Sequence, residues 1–234
     1  QFIAHNEQIW GKGFVASEAM YIVSLELAQA YTNYIAKLPK EDVADKQFRY
    51  VALRAIHGRA CQQFLEILHL LKNGFADGAY ARWRSLYELS IIAEFISQNG
   101  EDVAKSYCEA ANTDDDYHDW AKVGPFFANN RHVSFDNIKK KCTVEDDVWR
   151  GQYKLSNKVV HASPQGTFGR LANGPGIEGL ISAGHSDYGL AMPAINSAIS
   201  LSIISACFFK MIPCGDGIVY IKTIQKWMNV ICRY

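Results

Sequence analysis

The chain has 234 residues, 49% apolar and 21% charged, which excludes a disordered or collagen-like polypeptide and allows a substantial core. Lys and Arg together number 24, as do Asp and Glu, so the net charge is zero. That balance excludes a globally basic nucleic-acid-binding protein and leaves only a local basic patch open. The six cysteines (Cys61, Cys108, Cys142, Cys207, Cys214 and Cys232) form no C-x-x-C pair, the pattern of free thiols in a reducing cytoplasm. The chain opens at Gln1 without Met, so an N-terminal piece is expected to be missing or processed, and no secretory signal pattern is visible.

Apolar residues recur at helical spacing from the first third onward. A first helix is predicted over Glu18–Lys37, with Met20, Val23, Leu27, Tyr31 and Tyr34 on one stripe and Pro39 ending it. A second runs over Val43–Asn73 and stops at Gly74, a left-handed cap position. The third, Phe75–Ser97, is apolar all round and is expected to sit centrally. A fourth is predicted from Asp102 to about Asn112, with Thr113 capping a continuation in which Asp114, Asp115 and Asp116 face the positive helix end. Residues 124–143 read as irregular with a short helix, and a fifth long helix runs from about Thr143 to His161. Between Ala162 and Gly189 fall seven glycines and two prolines, read as one long loop. Two further helices are predicted at about Asp187–Met211 and Gly217–Arg233. The 22 uncharged residues Tyr188–Phe209 could span a bilayer, but Pro193, Asn196 and four serines favour a buried core helix. The expected architecture is all-α: a single domain over 1–234, a bundle of six or seven helices. Its core bundle covers about 18–161, followed by the Gly-rich loop 162–186 and C-terminal helices over 187–233.

Two sets of residues could carry chemistry. On the third helix Tyr80, Arg84 and Glu88 share a stripe with Ile91 and Phe95, and Arg84 and Glu88 are spaced to pair. Three readings are open: a buried bridge between helices, a surface pair, or a pocket in which Arg84 binds an anion and Glu88 orients it. On the fifth helix Arg150, Lys154, Asn157 and His161 form one polar, basic face. His161 at the helix end suits acid–base work and equally suits a simple cap. The remaining histidines lack paired ligand spacing, so no metal site and no cofactor are expected, and the loop glycines follow no strand and form no dinucleotide fingerprint.

The segments ACQQFLEILHLLKNGFADGAYARWRSLYELSIIAEFI (Ala60–Ile96) and YKLSNKVVHAS (Tyr153–Ser163) resemble a bacterial all-helical family of unknown function. In that family an R-S-L-x-E-L helix precedes a Y-x-x-L-S-x-x-V-H segment. The family is in turn similar to the HEPN superfamily, whose ribonucleases carry an Arg, a polar residue, three variable residues and a His. Asn157 and His161 match that pattern; Ser156 stands where the Arg would be. The resemblance implies a HEPN-like protein engaging RNA or nucleotide phosphate. If catalytic, it implies a metal-independent endoribonuclease of toxin or phage-defence type, acting as a cytoplasmic homodimer. In that reading His161 is the acid–base, Arg84 the phosphate clamp and Glu88 its orienter. Ser156, Asn157, Lys154 and Tyr80 then contact the substrate, and an antitoxin or other partner protein is expected, without a membrane partner. The alternative is a non-catalytic binding or scaffold module. The catalytic reading requires Arg84 and His161 to meet across one wet cavity.

Overall fold

The computed structural model describes residues 1–113, 117–143, 147–161, 163–168 and 184–234. Helices α1 (Phe2–Ile35), α2 (Lys40–Val43), α3 (Gln47–Lys72), α4 (Ala76–Asn99) and α5 (Glu101–Ala110) are followed by a 3-10 turn at Asp119–Val123. Then come α6 (Phe135–Lys139), α7 (Asp147–Val160), α8 (Pro164–Phe168), α9 (Ala191–Phe209) and α10 (Gly215–Ile231). The protein is an all-α bundle: seven of these helices have ten residues or more, and no strand is present among the described residues.

Helix α4 sits at the centre, packed against α3, α5, α6, α7 and α9, with Trp83, Leu86, Tyr87, Ile91, Phe95 and Ile96 fully buried. Helix α9 lies beside it and also touches α1, α3 and α10. It is long and apolar enough to cross a membrane, but 61% of its most apolar window is buried inside the bundle. Its serines explain how an uncharged helix fits there. Ser200 Oγ accepts from Trp83 Nε1 at 3.1 Å, Ser205 Oγ lies 3.2 Å from His57 Nε2, and the Ser197 hydroxyl donates to the Pro193 carbonyl. Each small side chain lets a neighbouring helix approach and satisfies a polar group that burial would otherwise penalise.

The first helix begins at Phe2, sixteen residues before the predicted start. The extension is held by tertiary bonds: Asn6 Nδ2 donates to the Leu71 and Lys72 carbonyls at 3.1 and 2.9 Å, closing the C-terminal end of α3. Gly74 follows with φ +77°, and the Gly74 and Phe75 amides donate back to Leu71 and Leu70. A Cβ at Gly74 would come within 2.5 Å of the Phe2 ring and 2.9 Å of the Ser186 amide, so a side chain would separate three segments that meet there. At the other end of α3, the Glu101 carboxylate accepts from the Phe48 and Arg49 amides and from Arg49 Nε, an N-terminal cap supplied by the first residue of α5.

The Thr113 hydroxyl donates to the Ala110 carbonyl at 2.9 Å at the end of α5, and the continuation expected over Asp114–Asp116 lies outside the described residues. Two expectations are corrected. The Gly-rich segment is not purely loop, because Pro164, a residue suited to a first helical position, opens α8. Helix α9 starts at Ala191 rather than Asp187, because Gly189 takes φ +79°. The expected helix start at Val144–Asp146 and most of the loop over 169–183 lie outside the described residues.

Burial holds the His57 imidazole down at about 4, from an ordinary 6.5. Between those values the unfolded chain binds more protons than the folded one, so stability is full above about 6.5 and falls as pH drops towards 4. The loss attributable to His57 is on the order of 3 kcal/mol. Denaturant unfolding at stepped pH should show a flatter dependence for His57→Gln than for wild type across this window. Parallel curves would remove His57 as the cause.

Candidate functional site

The predicted residues of α4 converge on α7. An apolar face on α7 presents Trp149 and Tyr153 to Tyr87: the Trp149 ring stacks on it with centroids 5.4 Å apart, and Tyr153 lies at 5.0 Å. This seating places the Tyr153 hydroxyl at the Arg84–Glu88 pair. Tyr153 donates to Glu88 Oε1 at 2.8 Å, Arg84 Nε lies 3.2 Å from the same oxygen, and Arg84 Nε donates to the Tyr153 hydroxyl at 3.4 Å. The Arg84 guanidinium also sits 5.6 Å from the Tyr153 ring centroid, and Lys139 Nζ lies 5.3 Å from that centroid.

The Arg84 and Glu88 side chains are 29% and 32% exposed, which makes the pair a half-buried bridge rather than a sealed one or a plain surface pair. Burial works against the charge on Arg84, but the bonds to Tyr153 and Glu88 outweigh it and raise its pKa above the ordinary value. Burial chiefly raises the Tyr153 phenol, opposed by Arg84 and reinforced by Glu88, so Tyr153 remains a donor at neutral pH. The triad is charge-neutral, with Arg84 Nε and Glu88 Oε1 each engaged by both partners.

The other predicted residues are distributed differently. Tyr80 is buried, and its hydroxyl donates to Gln152 Oε1, which also accepts from Asn196 Nδ2 at 3.4 Å. Tyr80 therefore joins three helices. Ser156 is fully buried and donates to the Tyr153 carbonyl within its own helix at 2.8 Å. Asn157 is partly buried, with an Oδ1 that has no hydrogen-bond partner among the described residues. His161 is exposed at the end of α7, eight residues or about 12 Å of helical rise beyond Tyr153. The structure thus joins Arg84 and Glu88, and among the described residues no contact links either of them to His161.

What α7 does present outward is positive charge. Arg150, Lys154, Lys158 and His161 are all exposed and fall within about 80° of one another around the helix. Lys154, Lys158 and His161 make no side-chain hydrogen bond or ion pair among the described residues. Asp147, at the first position, is the helix's one acidic residue. Tyr153 and Lys158 were not among the predicted site residues. Tyr153 follows Trp149 by four positions on the apolar face, a signal indistinguishable from ordinary core packing until a carboxylate is seen opposite it. Among the described residues, no group of three His, Cys, Asp or Glu side chains could hold a metal ion.

A family model described as a family of unknown function (DUF5677) matches residues 50–124. The match contains α4 with Arg84 and Glu88, and ends before α7. No curated protein and no solved structure matches the chain.

The bridge should behave as a modest structural contact. In a double-mutant cycle with Arg84→Met and Tyr153→Phe, unfolding free energies are expected to show a coupling of about 0.5–1 kcal/mol, the range for half-exposed charged contacts. Additive effects would dissolve the triad.

Proposed function

We propose that this protein is a HEPN-like helical module that binds RNA or nucleotide phosphate through the outward face of α7, without cleaving it. The observation that carries the reading is the row Arg150, Lys154, Lys158 and His161, exposed along about 16 Å of helix in a chain of zero net charge. Cations aligned on one rigid element suit consecutive backbone phosphates, which supply the sequence-independent part of nucleic-acid affinity. Catalysis is left out because Arg84 makes no contact with His161 among the described residues, and Ser156 occupies the motif's Arg position facing the core. The six free cysteines fit a cytoplasmic setting for this activity. A homodimer would place two such rows on one particle.

A second reading, metal-independent RNA cleavage, draws on one specific feature: His161 and Lys158 are exposed three residues apart on the same face, an imidazole beside a cation.

Fluorescence anisotropy with a labelled single-stranded RNA, in EDTA and at stepped salt, tests both. Binding is expected with a log–log salt slope of about −2, since three neutralised phosphates contribute about −0.7 each. Lys154→Glu combined with Lys158→Glu should weaken binding more than about tenfold and flatten that slope. Salt-independent or unchanged binding would end the reading. Cleavage of the RNA by wild type, lost in His161→Ala, would replace binding with nuclease activity.

A further inference from the structure

A second surface feature lies away from α7. The start of α3, the last turns of α4 and the end of α9 leave between them a cleft of about 480 Å³, within the range that holds small-molecule ligands. By contrast, the depression beside Trp10 and Ile231 offers about 20 Å³, room for one water.

Two cations line the larger cleft. Arg49 is anchored along one edge only: its Nε reaches Glu101 Oε2 at 3.2 Å, and its terminal amino groups have no partner among the described residues. Lys210, exposed at the end of α9, makes no ion pair among the described residues. The one acidic residue in the lining, Glu94, is buried in the wall, where its Oε1 accepts from two further lining residues: Gln98 Nε2 at 2.8 Å, and the Thr143 amide at 3.1 Å together with its hydroxyl. The Cys207 thiol in the wall accepts from Ser97 Oγ at 3.8 Å and is pushed up by burial to about 11, so it is neutral at physiological pH. The α9 side of the cleft is apolar, built from Ile203, Ala206 and Met211. Spare guanidinium and ammonium donors beside an aliphatic wall make a site for a molecule with one anionic and one apolar end.

We propose that this cleft binds a small organic anion, its carboxylate or phosphate head held by Arg49 and Lys210 and its short aliphatic body lying on Ile203, Ala206 and Met211. The site is independent of the α7 surface.

Thermal-shift titrations of the whole chain with hexanoate, hexyl phosphate, inorganic phosphate and neutral hexanamide test it. A ligand that binds only the folded state raises the midpoint saturably. Saturable shifts are expected with hexanoate, hexyl phosphate or both, and whichever is stronger identifies the head group. Lys210→Gln, at an exposed position, should weaken binding by about tenfold, the scale of one charge-assisted hydrogen bond. Ala206→Phe should fill the cleft and abolish the shift. As a readout that does not depend on stability, hexanoate or hexyl phosphate should slow alkylation of Cys207 but not of Cys232, followed peptide by peptide. The proposal is overturned by no saturable shift with either tailed anion, by an equal response to hexanamide or to inorganic phosphate, or by wild-type responses in both variants while Cys207 is unprotected.

Discussion

Every long helix in this bundle touches α4 or α9, and the contact between those two is fixed by a hydrogen bond in the middle of an apolar core. Trp83 Nε1 donates to Ser200 Oγ at 3.1 Å, with both residues fully buried. An unmet donor there would cost about 1–3 kcal/mol, so the bond selects one rotation and one height of α9 against α4. From that register the rest follows. His57 meets Ser205, Tyr31 exchanges hydrogen bonds with the Ile212 backbone at 3.0 and 2.8 Å, and Asn196 reaches Gln152 on α7. An apolar core alone tolerates sliding; a core with a few matched polar pairs does not.

The same seating decides what the charged residues can do. Because Trp149 and Tyr153 pack on Tyr87, the Tyr153 hydroxyl arrives where Arg84 and Glu88 project, and the guanidinium becomes part of the helix–helix joint. Its Nε is thereby committed to Glu88 and Tyr153 inside that joint. On the outward side of α7, Lys154, Lys158 and His161 make no side-chain hydrogen bond or ion pair among the described residues. Its lysines and His161 face water, which is why the functional reading moves from the interior of the seam to the outer surface of the same helix.

Much of the architecture was legible beforehand, and the misses share a cause. The apolar girdle of α4, the stop at Gly74 and the burial of α9 follow from periodicity and from one conformationally special residue. The first half of α1 escaped because its anchor is polar: Asn6 is buried to serve carbonyls of α3, 65 residues away. The Arg84–Glu88 pairing could be read from spacing of four, whereas its third member could not, since Tyr153 lies 65 residues from Glu88. His161 occupies the helix end as expected, but nothing in its local sequence could reveal its distance from the central guanidinium.

Local order in the chain was therefore sufficient to specify an all-helical protein, the central position of α4 and the neighbours within each helix, because 3.6-residue periodicity and capping act over a few residues. Which side chains from different helices meet was decided only by tertiary packing. The aromatic seam and the Trp83–Ser200 bond set the rotation of each helix about its axis. A turn of one residue, about 100°, is enough to send a charged group into a joint or out into solvent.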